Sequence, residues 1–270
     1  MMKKGILCFV IVILLSGMVQ AGTILLTTTV KTPNTLSHGE NKIIVMVKNG
    51  GDEIAKEVYL EIILPAGFNS QDIRMGDIIP GENKSGETTI SVPDDAIGTY
   101  PLIVKAKYSD SFKYPFSAIA PSYLRVIESR PSDIYSKAEK LTIPAEGDGQ
   151  IVVKVTNRGD TSRQVSSRLI LSDEFKVENE VQLMDIKSKS ADDIYYNIQY
   201  LSDVVGSVYS GTVVLEYEDD GIHQTSFAQT EITVSVAETN NWYLIAILAV
   251  VAVIIIVYAV RFRIKTKKKK

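Results

Sequence analysis

Residues 43–52 read IIVMVKNGGD and residues 151–160 read IVVKVTNRGD, one pattern repeated at an offset of 108. Apolar residues take every second position, Ile43, Val45 and Val47 in the first and Ile151, Val153 and Val155 in the second, and each run stops at Asn-x-Gly-Asp. Such alternation lays one face of an extended strand on a core, and the Gly and Asp close it with a turn. The register continues downstream. Val58, Ile62, Leu64 and Phe68 stand opposite Val165, Leu169, Leu171 and Phe175 at an offset of 107, Gly98 opposite Gly206, and Tyr100, Val104 and Tyr108 opposite Tyr209, Val213 and Tyr217 at 109. Agreement over so long a span is an internal duplication whose unit is a whole domain, not a solenoid repeat.

Short alternating runs rich in Val, Ile, Thr and Tyr recur between turn clusters such as Pro65-Ala66-Gly67, Pro80-Gly81-Glu82-Asn83 and Asp219-Asp220-Gly221. No helical stripe appears before Trp242. Each copy is therefore expected to be an antiparallel β-sandwich of immunoglobulin-like type with about seven strands. The fold class is all-β: two tandem immunoglobulin-like sandwiches followed by one transmembrane α-helix. The expected boundaries are a signal peptide at 1–21, sandwiches at 22–128 and 134–237, a linker at 129–133 stiffened by Pro131, a transmembrane helix at 242–260 and a basic tail at 261–270. Stacked end to end, two such sandwiches would form a stalk roughly 60 to 80 Å tall.

Duplication also assigns faces. The strand through Ile43 to Val47 is apolar at every position, but the second copy has Lys154 where the first has Met46. A lysine resists burial, so Met46 and Ile44 are expected to face outward. They are candidates for an apolar contact patch on the neighbouring domain or on a partner, with a covering loop as the alternative.

Residues 242–260, WYLIAILAVVAVIIIVYAV, carry no charge and are followed by RFRIKTKKKK. Nineteen residues at helical rise reach about 28 Å, enough for a bilayer core, and the cationic tail places the C-terminus in the cytoplasm. The start, MMKKGILCFVIVILLSGMVQA, has the Lys pair, apolar run and small residues of a secretory signal ending at Ala21. The expected location is thus the cell membrane, single-pass, with both sandwiches extracellular. Between the two segments lie all 32 acidic residues but only 20 basic ones, a net charge of −12. That balance argues against binding nucleic acid, which needs a basic face. Cys8, the single cysteine, falls in the leader, so the sandwiches must hold together by packing alone.

Catalysis finds little footing. His38 and His223 are the two histidines, both expected at the surface, and with no cysteine outside the leader they assemble neither a zinc site nor a nucleophile pair. The pairs Asp94-Asp95, Asp192-Asp193 and Asp219-Asp220 are accounted for by turn chemistry, and no Ca²⁺-loop spacing is present. Arg158-Gly159-Asp160 spells an adhesion tripeptide but aligns with Gly50-Gly51-Asp52, which makes Gly159 a turn glycine of positive φ. No catalytic residue, metal ligand or cofactor site is assigned. Asn83 opens an Asn-Lys-Ser sequon in an expected turn and is a candidate N-glycosylation site.

The order VMVKNGGDEIAKEVYLEIILPAGF, MGDIIPGE, DDAIGTYPLIVKAKYSD in the first copy resembles the immunoglobulin-like repeats of archaeal S-layer-like surface proteins. These are related to CARDB (cell-adhesion-related) and α-galactosidase-associated domains. The second copy has Lys187-Ser188-Lys189 in place of the Pro-Gly-Glu turn. The resemblance implies a surface-exposed, non-catalytic module. The expected function is a membrane-anchored cell-surface scaffold or adhesion protein of the envelope, S-layer-associated, whose partner is an envelope component. The alternative is an accessory subunit of a membrane transporter or secretion complex, its helix packed on partner helices. A carbohydrate-binding module would expose several aromatics, and residues 22–241 contain no Trp.

Overall fold

A computed structural model describes residues 22–235, and every regular element in that span is a β-strand. The expected leader at 1–21 and transmembrane helix at 242–260 lie outside the described residues. Among the described residues, no helix is long and apolar enough to cross a membrane.

The first copy contributes β1 (Leu26–Lys31), β2 (Gly39–Asn49), β3 (Ala55–Ile63), β4 (Asn69–Ser70), β5 (Ile73–Ile78), β6 (Asn83–Val92), β7 (Gly98–Ser109) and β8 (Pro115–Val126). The second contributes β9 (Ile134–Ala138), β10 (Leu141–Pro144), β11 (Asp148–Asn157), β12 (Arg163–Ile170), β13 (Phe175–Val177), β14 (Val181–Ile186), β15 (Ala191–Tyr200), β16 (Val208–Asp219) and β17 (Ile222–Ser235). The counts, eight and nine, exceed seven because short edge pieces add to them: β4 in the first copy, β10 and β13 in the second.

In the first copy the sheet β1-β2-β6-β4 faces β5-β3-β7-β8; in the second, β13-β15-β11-β9 faces β14-β12-β16-β17-β10, and a single parallel bridge from Gly98 on β7 to His223 on β17 joins the two inner sheets into one of nine strands. The strand order is the same. Even the parallel closure recurs, as β10 on β17 in the second copy and as a single bridge between Leu36 and Val126 in the first. Alternate residues of facing sheets interdigitate, as in sandwiches generally. One core contains Ile43, Val45, Val47, Leu60, Leu102 and Leu124, all fully buried. The other contains Ile151, Val153, Val155, Val165, Val213 and Ile232.

Two details of the repeat have structural causes. Asn49 and Asn157, the residues that end the two quoted runs, are both fully buried. Asn49 donates through Nδ2 to the carbonyls of Glu53 (2.8 Å) and Ile78 (3.0 Å) and accepts at Oδ1 from the Gly51 N–H (3.0 Å). Asn157 does the same with Thr161 (2.8 Å), Ile186 (3.1 Å) and Gly159 (2.9 Å), each partner exactly one repeat further on. One side chain thus saturates a buried turn whose backbone groups would otherwise lack partners. The second detail is the drop in offset from 108 to 107. The first copy has one extra residue between its turn and Val58, absorbed as a β-bulge between Ala55 and Val58 with Glu57 at φ 55°. Strand β12 pairs with β14 without a shift.

The copies are not strung end to end. The outer face of β7 and β8 lies on the outer face of β12, β16 and β17, burying Ile103, Ile119, Ile170 and Val214 with Ile63 and Phe227 beside them. Ile63 and Ile170 are repeat equivalents, as are Ile119 and Phe227, so both copies use the same face. This corrects the end-to-end stalk: a sheet that is apolar on both faces must be covered on both, and the nearest cover is the sister copy.

Candidate functional site

Ile44 and Met46 do point away from the core, half-buried between the buried Ile43, Val45 and Val47. Their cross-strand neighbours are polar. Ile44 lies between Lys31 and Glu87, and Met46 between Thr29 and Ser85; Lys42 reaches Glu87 at 2.5 Å. The pair is a small apolar spot on a polar sheet face, and the seam with the sister copy is built from other residues. Asn83 is exposed, and it begins β6 opposite Lys48 where a turn was expected; the turn ends one residue earlier.

The seam is where chemistry gathers. Lys105 projects from β7 into it, its side chain only 7% exposed, and pairs with Asp173 of the second copy. Lys107 bridges Glu61 at 2.9 Å and the same Asp173 at 3.0 Å. Burial works to raise the Asp173 carboxyl, but the hydrogen bonds and charges of Lys105 and Lys107 prevail and hold it below the usual carboxylate range. At the other end of the seam His223 stacks on Tyr100, ring centroids 4.3 Å apart and planes within 2°. Its Nδ1 lies 2.7 Å from Glu218 and its Nε2 3.2 Å from Glu216. Burial opposes the charged ring, yet the two carboxylates outweigh it and raise its pKa. The expectation of a surface histidine fails here because His223 follows a hairpin tip that packs on the sister copy. His38 is exposed, with Nε2 3.0 Å from the Ala96 carbonyl.

Backbone contacts lock the same end. The His223 N–H donates to the Ile97 carbonyl at 2.9 Å, and Thr225 Oγ1 to the Thr99 carbonyl at 2.8 Å. Gly98 sits at φ 126° against His223, and a Cβ there would collide with the His223 carbonyl and amide. Tyr123 and Phe227 pack with centroids 4.6 Å apart. A signal for this seam was present in the sequence: Leu102-Ile103-Val104 and Val213-Val214-Leu215 are apolar at consecutive positions, the mark of strands covered on both sides.

The other candidates resolve locally. Asp219 forms an ion pair with Arg163 at 2.5 Å and Asp94 lies in a turn, but Asp192 and Asp193 are exposed on strand β15 rather than in a turn. Gly159 has no positive φ; a Cβ there would lie 2.6 Å from the Asp133 carboxylate, a contact that a shift of that side chain relieves. Arg158 lies over the Tyr135 ring at 3.9 Å, and Asp160, exposed to solvent, pairs with Lys189 at 2.9 Å in the same domain. Among the described residues, no group of three or more His, Cys, Asp or Glu is placed to hold a metal ion.

Residues 37–109 match the family described as "NPCBM-associated, NEW3 domain of alpha-galactosidase". The match runs from the start of β2 to the end of β7 and covers well under half of the chain. No curated protein matches. Solved structures similar to the chain include a Salmonella alpha-2-macroglobulin mutant, at 11% identity and TM-score 0.32 over 77% of this chain and 16% of that one. Another is an ASH/PapD-like domain of human CEP192, at 14% identity and TM-score 0.30 over 43% of this chain and 96% of that domain. A third is red sea bream transglutaminase, at 11% identity and TM-score 0.29 over 79% of this chain and 31% of that one. The chain thus spans a minor part of the first and third. The segment 37–109 is similar to a NEW3 domain, a β-sandwich of the immunoglobulin-like kind, and the finer expectation of an S-layer or CARDB repeat has no match beside it.

Proposed function

We propose that this protein is a membrane-anchored, non-catalytic scaffold of the cell surface, held by residues 242–260 and presenting its two sandwiches outside the cell as one rigid body. The observation that carries this reading is the pairing of the copies: their seam is apolar, ion-paired and backbone-bonded, so the remaining outer faces are presented at a fixed angle. Similarity of residues 37–109 to a domain described with alpha-galactosidase adds support for an accessory role, because such a domain accompanies an activity housed elsewhere. Contacts would be made by the outer faces of β2 and β6, with Ile44 and Met46 as the apolar spot and Asn83 as a glycan attachment point on the same sheet.

The test uses both the ectodomain and the whole chain. Soluble residues 22–239 incubated with isolated envelope are expected to sediment with it. Failure to sediment, together with copurification of a multi-span membrane protein by the full chain, would replace this reading with that of a transporter or secretion-complex subunit. Exchanging residues 242–260 for an unrelated span separates the two further: a scaffold keeps its function, whereas a subunit that packs through its helix loses its assembly.

A further inference from the structure

The face-to-face pairing reverses one copy relative to the other, and this puts distant loops together. Lys107, near the end of β7, pairs with Asp173, and Phe116, near the start of β8, packs against the second core. The residue after Asp173, Glu174, accepts a hydrogen bond from the Leu201 N–H at 2.8 Å. Leu201 opens the loop that leads to β16, whose first residue, Val208, pairs with Thr233 near the end of β17. Gly206 in that loop donates to the Val234 carbonyl at 2.8 Å. The hairpin between β7 and β8 therefore lies at the same end of the molecule as Ser235, where the described chain stops.

That end exposes several large apolar side chains. Phe112, at the hairpin tip, is 80% exposed, with Tyr114 and Leu25 exposed beside it, and Glu53 ties the hairpin to the neighbouring turn through the Ser111 N–H. From the second copy Leu201, Val205 and Val208 are exposed at the same end, Val208 at 60%. Six residues separate Ser235 from Trp242, and at about 3.3 to 3.6 Å per residue they hold this end within about 25 Å of the point where an apolar span would enter a bilayer. A tethered end that exposes large apolar side chains from two separate loops faces the one apolar medium within its reach.

We infer that the hairpin tip at Phe112 and the loop 201–208 dock on the lipid surface, so that the paired sandwiches lie against the membrane instead of standing off it. The inference rests on reading residues 242–260 as a membrane span. Asp110, Glu53 and Asp203 lie at this end with Lys113 as the basic residue of the hairpin tip, so acidic groups outnumber it and the apolar boundary of a zwitterionic bilayer is the match, not an anionic headgroup layer.

Trp242 is the chain's single tryptophan, and this makes the two claims separable. The full chain is reconstituted in phosphatidylcholine vesicles with brominated acyl chains, once as wild type and once each as Phe112→Trp and Leu201→Trp in a Trp242→Phe background. Bromine is expected to quench the wild-type fluorophore and both introduced ones to comparable extents, with blue-shifted emission from all three. If the wild type is quenched and the two variants keep their emission, the docking is overturned and the span stands. Shielding of the variants from acrylamide without bromine quenching would mean a protein covers this end, which also overturns it. An unquenched wild type would remove the span itself. Both substituted positions are exposed, so folding is not at stake, and the agreement of two separate sites guards against a fault in either.

Discussion

The two copies share a strand order and a buried Asn turn, yet their interiors and their seam faces differ. The first core is almost wholly aliphatic, whereas the second contains Tyr196, Tyr200, Tyr209 and Tyr217. These hydroxyls find partners inside: Tyr196 meets Ser167 Oγ at 2.5 Å, and Tyr200 meets Tyr209 at 3.0 Å. Where the second copy presents Val214 to the seam, the first presents Lys105 at the equivalent place. The lesson is that duplication preserves what the backbone requires and frees what only packing requires. An Asn that closes a turn has no substitute, but a core volume can be filled by aliphatic or aromatic side chains provided the polar tips are satisfied.

The sharpest way to break the equivalence is at the paired glycines. Gly98→Ala meets the His223 backbone at φ 126°, while Gly206→Ala at φ 80° enters open space. The first is expected to cost on the order of 4 kcal/mol, and the second only ~1 kcal/mol for its left-handed backbone. Urea unfolding of residues 22–239 measures both; equal losses would mean that the seam does not bear on stability. Next come the paired asparagines. Asn49→Ala and Asn157→Ala each strand buried carbonyls, and each should cost about 3 kcal/mol, with the two losses alike if the turns are one device.

The seam ion pair should respond asymmetrically. Asp173→Asn leaves Lys105 buried with its partner lost and is expected to cost about 2 kcal/mol. Lys105→Met leaves an Asp173 that is 64% exposed and still paired with Lys107, so its cost should stay within ~1 kcal/mol. Thermal unfolding separates them, and the reverse order would show that Lys105 reaches water when unpaired.

A smaller effect concerns pH. The folded pKa of His223 is raised above its ordinary value of 6.5, so its contribution is fully present below that value and fades as pH rises through the raised folded value. Melting temperature should fall across that window, and the combined Glu216→Gln and Glu218→Gln variant should flatten the profile, since the carboxylates are what hold the proton. Smallest of all, Met46→Lys copies the residue the second copy already has as Lys154 and should change stability by no more than ~0.5 kcal/mol. A loss of envelope binding without loss of stability would make Met46 a contact residue.

Much of the fold was legible because a strand advertises its buried face every second residue, and the repeat doubled that signal. Ile43, Val45 and Val47 and their counterparts were assigned inward from alternation, and Lys154 settled the outward face of β2. The bulge at Glu57 was visible only as a one-residue change of offset, without its cause. His223 was read as a surface residue because local sequence reports a hairpin but not what the hairpin touches.

From its sequence alone the chain determined two all-strand domains, most of the turns between their strands, an acidic composition and an uncharged stretch at 242–260. Tertiary structure decided which outer faces meet, that Lys105 is buried and His223 half-buried between the copies, and that the Phe112 tip shares an end with Ser235. The division has a physical reason. Alternation, turn conformation and charge are properties of neighbouring residues, whereas the seam joins side chains about a hundred residues apart whose meeting depends on how two completed sandwiches dock.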